Sequence, residues 1–118
     1  MRVLIVEKSD LIAQDLADIV TSTLTDADVV HARTGDEAIR RLSDDVRPGL
    51  VILNARSSTL EPDMVRAAVR QAGLAMILVG QTKPPEVALP ANWVQITSPF
   101  TESRIAAAVR QVLSDAAG

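Results

Sequence analysis

Val3-Leu4-Ile5-Val6-Glu7-Lys8 is the stretch on which the fold turns: an unbroken apolar run, then a pair of charged residues. Apolar side chains at every position, rather than at alternate ones, suit a strand covered on both faces. Such strands build parallel sheets. The pattern returns along the chain. Leu50-Val51-Ile52-Leu53 follows the turn signal Pro48-Gly49 and ends at Asn54, and Ala75 to Val79 forms a fourth such segment. Ala27 to Ala32 reads as a shorter second strand, and Trp93 to Thr97 as a fifth.

Helical spacing fills the gaps between these runs. After a cap at Ser9 or Asp10, Ile12, Leu16, Ile19, Val20 and Leu24 recur on one face, until Thr25-Asp26 breaks the helix. Thr34-Gly35-Asp36 is turn chemistry, and Ala38, Ile39 and Leu42 give the next helix its stripe. Pro62 suits the first turn of a third helix, whose expected inner face is Met64, Val65, Ala68, Val69 and Ala72, with Gly73 ending it. Thr101 caps a closing helix with Ile105, Val109, Val112 and Leu113 inward. Pro84, Pro85 and Pro90 make a full helix between Gln81 and Ala91 unfavourable, so this fourth helix is expected to be short or missing.

Strands alternating with helices predict an α/β fold: a doubly wound parallel sheet with right-handed crossovers and helices on both faces. With 118 residues, 47% of them hydrophobic, there is material for one core and no linker to divide it, so residues 1–118 read as a single domain. Aromatic residues make up only 2%, which leaves the packing to aliphatic side chains and alanine. A net charge of −3 argues against binding to a nucleic-acid backbone. The absence of cysteine excludes disulfides, thiolate nucleophiles and Cys-based zinc sites. The Val3 to Val6 run is too short for a signal peptide or a membrane span, and a cytoplasmic location is the default expectation.

In sheets of this kind ligands bind at the carboxyl ends of the strands, so the residues just after each strand carry the functional reading. Here these are Glu7, Lys8, Asn54, Arg56, Gly80, Gln81, Thr97 and Ser98. They also carry a family resemblance. Val3 to Val6 with its polar pair, Ala32-Arg33-Thr34-Gly35-Asp36-Glu37-Ala38, Pro48-Gly49-Leu50-Val51-Ile52-Leu53, and Pro99-Phe100 before the last helix occur in an order that resembles a bacterial response-regulator receiver domain. The resemblance runs over essentially the whole chain and implies a flavodoxin-like sheet of order 2-1-3-4-5.

The same resemblance implies a site from which the phosphotransfer residues are missing. Where receivers have two adjacent acids, this chain has Glu7 and Lys8; the phosphate-accepting aspartate corresponds to Asn54. The hydroxyl residue after the fourth strand corresponds to Gly80, followed by Gln81, the conserved-type lysine to Ser98, and the fifth-strand aromatic to Gln95. An amide cannot act as the carboxylate nucleophile that aspartyl phosphate requires. Mg²⁺ prefers anionic oxygens in octahedral array, and Lys8 brings an ammonium instead, so Mg²⁺ binding is expected to be lost and no cofactor is expected. Lys8 is expected to take the metal's place, donating hydrogen bonds to Asn54 and pairing with Glu7 or another nearby acid. Arg56 reads equally well as rim charge or as solvated surface.

The other chemistry-bearing residues have plain readings. His31 reads as an ordinary strand histidine with no nearby partner acid. The helix arginines Arg40, Arg41, Arg66, Arg70, Arg104 and Arg110 read as solvated faces, and the scattered glycines form no phosphate-cradling loop. Ser98-Pro99 is a cis-peptide candidate by family analogy. Val87, Leu89, Trp93 and Gln95 mark the candidate interaction face, although Trp93 reads slightly better as filler for the gap a missing helix leaves.

The combined expectation is a non-enzymatic, phosphorylation-independent receiver-like module. It would contact signalling proteins, with homodimerisation open and with neither nucleic acid nor membrane as partner. A receiver with atypical phosphoacceptor activity and a small-anion sensor using the crevice near Lys8 and Arg56 stay open beside it.

Overall fold

The computed structural model describes residues 1–43, 47–54, 62–81, 88–97 and 100–117. In chain order these form β1 (Arg2–Val6), α1 (Asp10–Thr23), β2 (Asp28–Ala32), α2 (Gly35–Leu42), β3 (Leu50–Asn54), α3 (Pro62–Ala72), β4 (Ala75–Gln81), β5 (Trp93–Thr97) and α4 (Glu102–Ala117). The strands make one parallel sheet in the order β2-β1-β3-β4-β5, as the sequence pattern implies. No helix stands between β4 and β5 among the described residues, and 82–87 lie outside them.

The unbroken apolar runs are explained by what covers them. Val3 and Ile5 of β1 and Leu50 and Ile52 of β3 face one core with Leu16 and Val20 of α1 and Ile105, Val109 and Val112 of α4. Leu4, Val6, Val51 and Leu53 face the other, against Ala38 and Leu42 of α2 and Val65 and Val69 of α3. Successive side chains of a strand point to opposite faces, so a sheet with helices on both sides needs an apolar residue at every position. Each fully buried aliphatic side chain contributes about 1.5–3 kcal/mol.

Local chemistry sets the helix ends. Ser9 Oγ accepts from Ile12 N at 3.3 Å to start α1, and Thr34 Oγ1 accepts from Glu37 N at 3.1 Å to start α2. Thr101 Oγ1 accepts from Arg104 N at 3.3 Å at the head of α4. At the end of α3, Gly73 N donates to Arg70 O and Leu74 N to Val69 O, with Gly73 at φ 71°. This is a Schellman closure, and its left-handed residue is a glycine for steric reasons.

One expectation about packing needs correction, and one pair of alternatives is decided. Met64 is 52% exposed and does not belong to the inner face of α3; Val65 and Val69 alone among the expected set are fully buried. Trp93 is 9% exposed and lies in the core shared with α2 and α3, where its Nε1 donates to Leu74 O at 3.2 Å. The reading of Trp93 as core filler holds, and its place on an exposed interaction face does not. Among the described residues no helix is long and apolar enough to cross a membrane.

Candidate functional site

β1 and β3 are neighbours in register, with Val6 opposite Leu53, so Glu7 and Asn54 follow side by side at the carboxyl ends. Both are buried, Glu7 at 3% and Asn54 at 6% exposure, and they are the buried polar or charged residues among those described. Buried polar groups need partners. Glu7 N continues the ladder to Ala32 O at 3.0 Å, and Glu7 Oε1 accepts from Ser9 N at 3.4 Å. Asn54 is likewise engaged.

Lys8 does not join this pair. With Glu7 turned inward the next side chain is turned outward, and Lys8 is exposed. No hydrogen bond or ion pair joins Lys8 to another described residue, so the expected Lys8–Asn54 contact is not formed. The carboxylate of Glu7 and the amide of Asn54 are the oxygen donors of the described pocket. Among the described residues no group of three or more His, Asp or Glu could hold a metal ion. With one carboxylate and one neutral amide among the described buried residues, this donor set offers a divalent cation little compensating charge.

Beside the pocket lies a cluster that sequence reasoning missed. His31 Nε2 lies 2.6 Å from Glu7 O, and a carbonyl only accepts, so Nε2 carries a proton. The other ring nitrogen, Nδ1, is 3.9 Å from Asp10 Oδ1, which corrects the reading of His31 as lacking a nearby acid. Asp10 in turn takes both forks of Arg33, with Nε donating to Oδ1 at 2.8 Å and Nη2 to Oδ2. Arg33 N donates to Glu37 Oε2 at 3.3 Å. The cluster ties the end of β2 to the first residue of α1 and to the main chain of Glu7. The polar residues at the ends of neighbouring strands were the available signal, but the contact depends on which way each side chain turns.

At the end of β4 the backbone itself departs from regular strand. Gly80 is buried and has φ 82°, and the pairing with β5 shifts from Leu78↔Gln95 to Gln81↔Thr97. Val79 and Gly80 thus oppose Ile96 alone, as in a bulge. The start of β5 is held by Met76 N to Asn92 O at 3.1 Å, Asn92 Nδ2 to Gly73 O at 3.3 Å, and the Trp93 indole bond. Leu89 is half-buried against the same core as Trp93, and Gln95 is half-buried and engaged. Arg56, Val87, Ser98, Pro99 and the side chain of Gln81 lie outside the described residues, and with them the expected rim charge and the cis-peptide candidate.

No family model matches the chain, and no curated protein matches it. Solved structures do. The chain is similar to the signal receiver domain of a signal transduction histidine kinase from Syntrophus aciditrophicus, at 28% identity and a TM-score of 0.75, over 96% of this chain and 89% of that one. It is similar in fold to the N-terminal domain of a response regulator/sensory box/GGDEF three-domain protein from Carboxydothermus hydrogenoformans, at 21% identity and a TM-score of 0.78, over 97% and 94%. It also matches the response regulator PhyR from Brucella abortus at 24% identity and a TM-score of 0.76, covering 98% of this chain and 49% of that longer one. Sheet order, helix placement and these likenesses agree: the chain has the flavodoxin-like fold of the response-regulator receivers and is similar to them over nearly its whole length.

Proposed function

We propose that this domain is a phosphorylation-independent signalling module that acts by docking to other signalling proteins, and that it is not an enzyme. The observation that carries the reading is Asn54, 6% exposed at the end of β3 beside the buried Glu7. In the receiver pattern this is the position of the phosphoacceptor carboxylate. A carboxamide is no nucleophile toward a phosphoryl donor. The other mapped positions support the same reading. Gly80 supplies no hydroxyl, and an exposed Lys8 stands where the receiver pattern has the second acid. Residues 1–118 act as one domain on this reading, in the cytoplasm, with proteins and not nucleic acid as partners. By the receiver pattern, Gly80, Gln81, Arg56 and Ser98 map to the same degenerate phosphorylation pocket.

The test is incubation with acetyl phosphate and Mg²⁺, followed by intact-mass measurement and by anion titration without metal. No mass gain and no saturable binding is the expected result. A Mg²⁺-dependent gain of one phosphoryl group would show an atypical acceptor. Saturable anion binding without metal would make the crevice a sensor site.

A further inference from the structure

The helices on the two faces of the sheet differ in charge. α1 and α4 lie over the core that holds Leu16 and Ile105, and α2 and α3 lie over the opposite core, which holds Ala38 and Val65. α1 carries Asp10, Asp15 and Asp18 and neither Lys nor Arg. Asp10 is engaged by Arg33. Asp15 and Asp18 are exposed, and with Glu102 they rim a groove of about 300 Å³ between α1 and the start of α4. Its apolar lining is the half-buried Ile19 and Phe100, and no Lys or Arg lines it. Gln14 Nε2 donates to Asp18 Oδ1 at 2.9 Å, but among the described residues no ion pair joins Asp15, Asp18 or Glu102 to a base.

On the other face the bases gather at helix ends. Arg40 and Arg41 stand in the last turn of α2 and Arg70 in the last turn of α3. Both helices return against the strand direction, so these turns lie toward the same, amino-terminal edge of the sheet. Arg40 and Arg70 are exposed, and among the described residues neither is in an ion pair. Met64, 52% exposed, adds apolar surface to α3. Arginine suits an acid-rimmed apolar groove on both counts. Its stem packs on apolar side chains such as Ile19, and its guanidinium stacks on a ring such as Phe100 while donating to carboxylates.

We propose that the occupant of the α1–α4 groove is a second copy of this chain, which presents the Arg40 and Arg70 side of α2 and α3 to it. The acidic and basic patches lie on opposite faces of one domain, so a two-fold pair does not satisfy both at once. The contact is head-to-tail and leaves one patch of each kind open at the ends. Exposed ion pairs contribute little each and are screened by salt, so the association is weak and salt-sensitive. Neither Lys8 nor Asn54 takes part, so this contact and the phosphorylation-independent reading can each fail alone.

The test is analytical ultracentrifugation of the whole chain up to about 1 mM. At low salt the average mass should rise with concentration beyond two chains, and high salt should return it to one. Asp15→Arg with Asp18→Arg breaks the acidic patch, and Arg40→Glu with Arg70→Glu breaks the basic one. These positions are all exposed, so both variants should keep the circular dichroism of the parent. Asp15→Asn with Asp18→Asn is the milder form, with a smaller loss of association. Each charge-reversed variant alone should remain a single chain. Mixed in equal amounts, the two should form a pair and nothing larger, because each supplies the patch the other lacks. A parent that stays a single chain at every concentration would overturn the proposal. So would association that persists in either variant, a parent that stops at two chains, or a mixture that stays unpaired.

Discussion

The β2-β1-β3 half of the sheet and the β4–β5 half hold their shape by different means. In the first, β1 pairs with both neighbours without a register break, and the helices between the strands start on Ser9 and Thr34 caps. In the second, the register breaks at Gly80, and the strand start is tied down by an indole and an amide side chain. The first half thus keeps regular pairing up to the strand ends that lead into Glu7 and Asn54, and the second departs from it at Gly80.

Trp93→Ala should have the largest effect. It empties a buried site in the core under α2 and α3 and deletes the bond to Leu74 O. A loss of about 3 to 5 kcal/mol in urea unfolding followed by circular dichroism is expected. A loss below about 1 kcal/mol would mean that the β4–β5 half does not depend on this anchor, and the comparison would break there. Because Trp93 is the single tryptophan, the native protein should also fluoresce at the blue, buried end of the range and red-shift on unfolding.

Asn54→Asp comes next and probes the first half. It would place a second carboxyl beside Glu7 at a site that is 6% exposed. Burial and the neighbouring acid both oppose ionisation, so the new group would titrate higher in the folded protein than in the unfolded chain. The destabilisation is then greatest at neutral pH, at about 2 to 3 kcal/mol, and fades as pH falls toward about 4. Stability that is independent of pH, relative to the parent, would contradict the packing of these two side chains.

Smaller effects sharpen the picture. Thr34→Ala should cost about 1 kcal/mol through loss of the α2 cap, with Thr34→Ser nearly neutral. Arg33→Ala removes the fork onto Asp10, but both side chains are more than half exposed, at 58% and 62%. Solvent screening holds that loss to about 0 to 1 kcal/mol, and it should shrink further in high salt. An effect larger than that of Thr34→Ala would give the Asp10–His31–Arg33 cluster a structural weight its exposure does not suggest.

Much of this architecture was legible in the residues. Val3 to Val6 and Leu50 to Leu53 are apolar at every position because helices cover both faces, and the caps at Ser9, Thr34 and Thr101 act where their side-chain oxygens stand in the chain. Met64 was misread because helical spacing marks a wide stripe, while packing chooses which edge of it turns to solvent. Gly80 was legible as a missing hydroxyl but not as a bulge, although a glycine inside the run Ala75–Gln81 is itself a signal for one. The orientations of Lys8 and His31 were not legible. Lys8 stands past the end of β1, and the contacts of His31, within β2, depend on where the main chain of Glu7 and the side chain of Asp10 come to lie beside it.

The most direct test of the central claim is an amide NMR titration of the unmodified protein with Mg²⁺, with and without beryllofluoride. The expected result is that the resonances of Glu7, Lys8 and Asn54 do not move and that Tm is unchanged. Saturable shifts at those residues would mean that the pocket still binds metal or phosphoryl groups, and would contradict a phosphorylation-independent module.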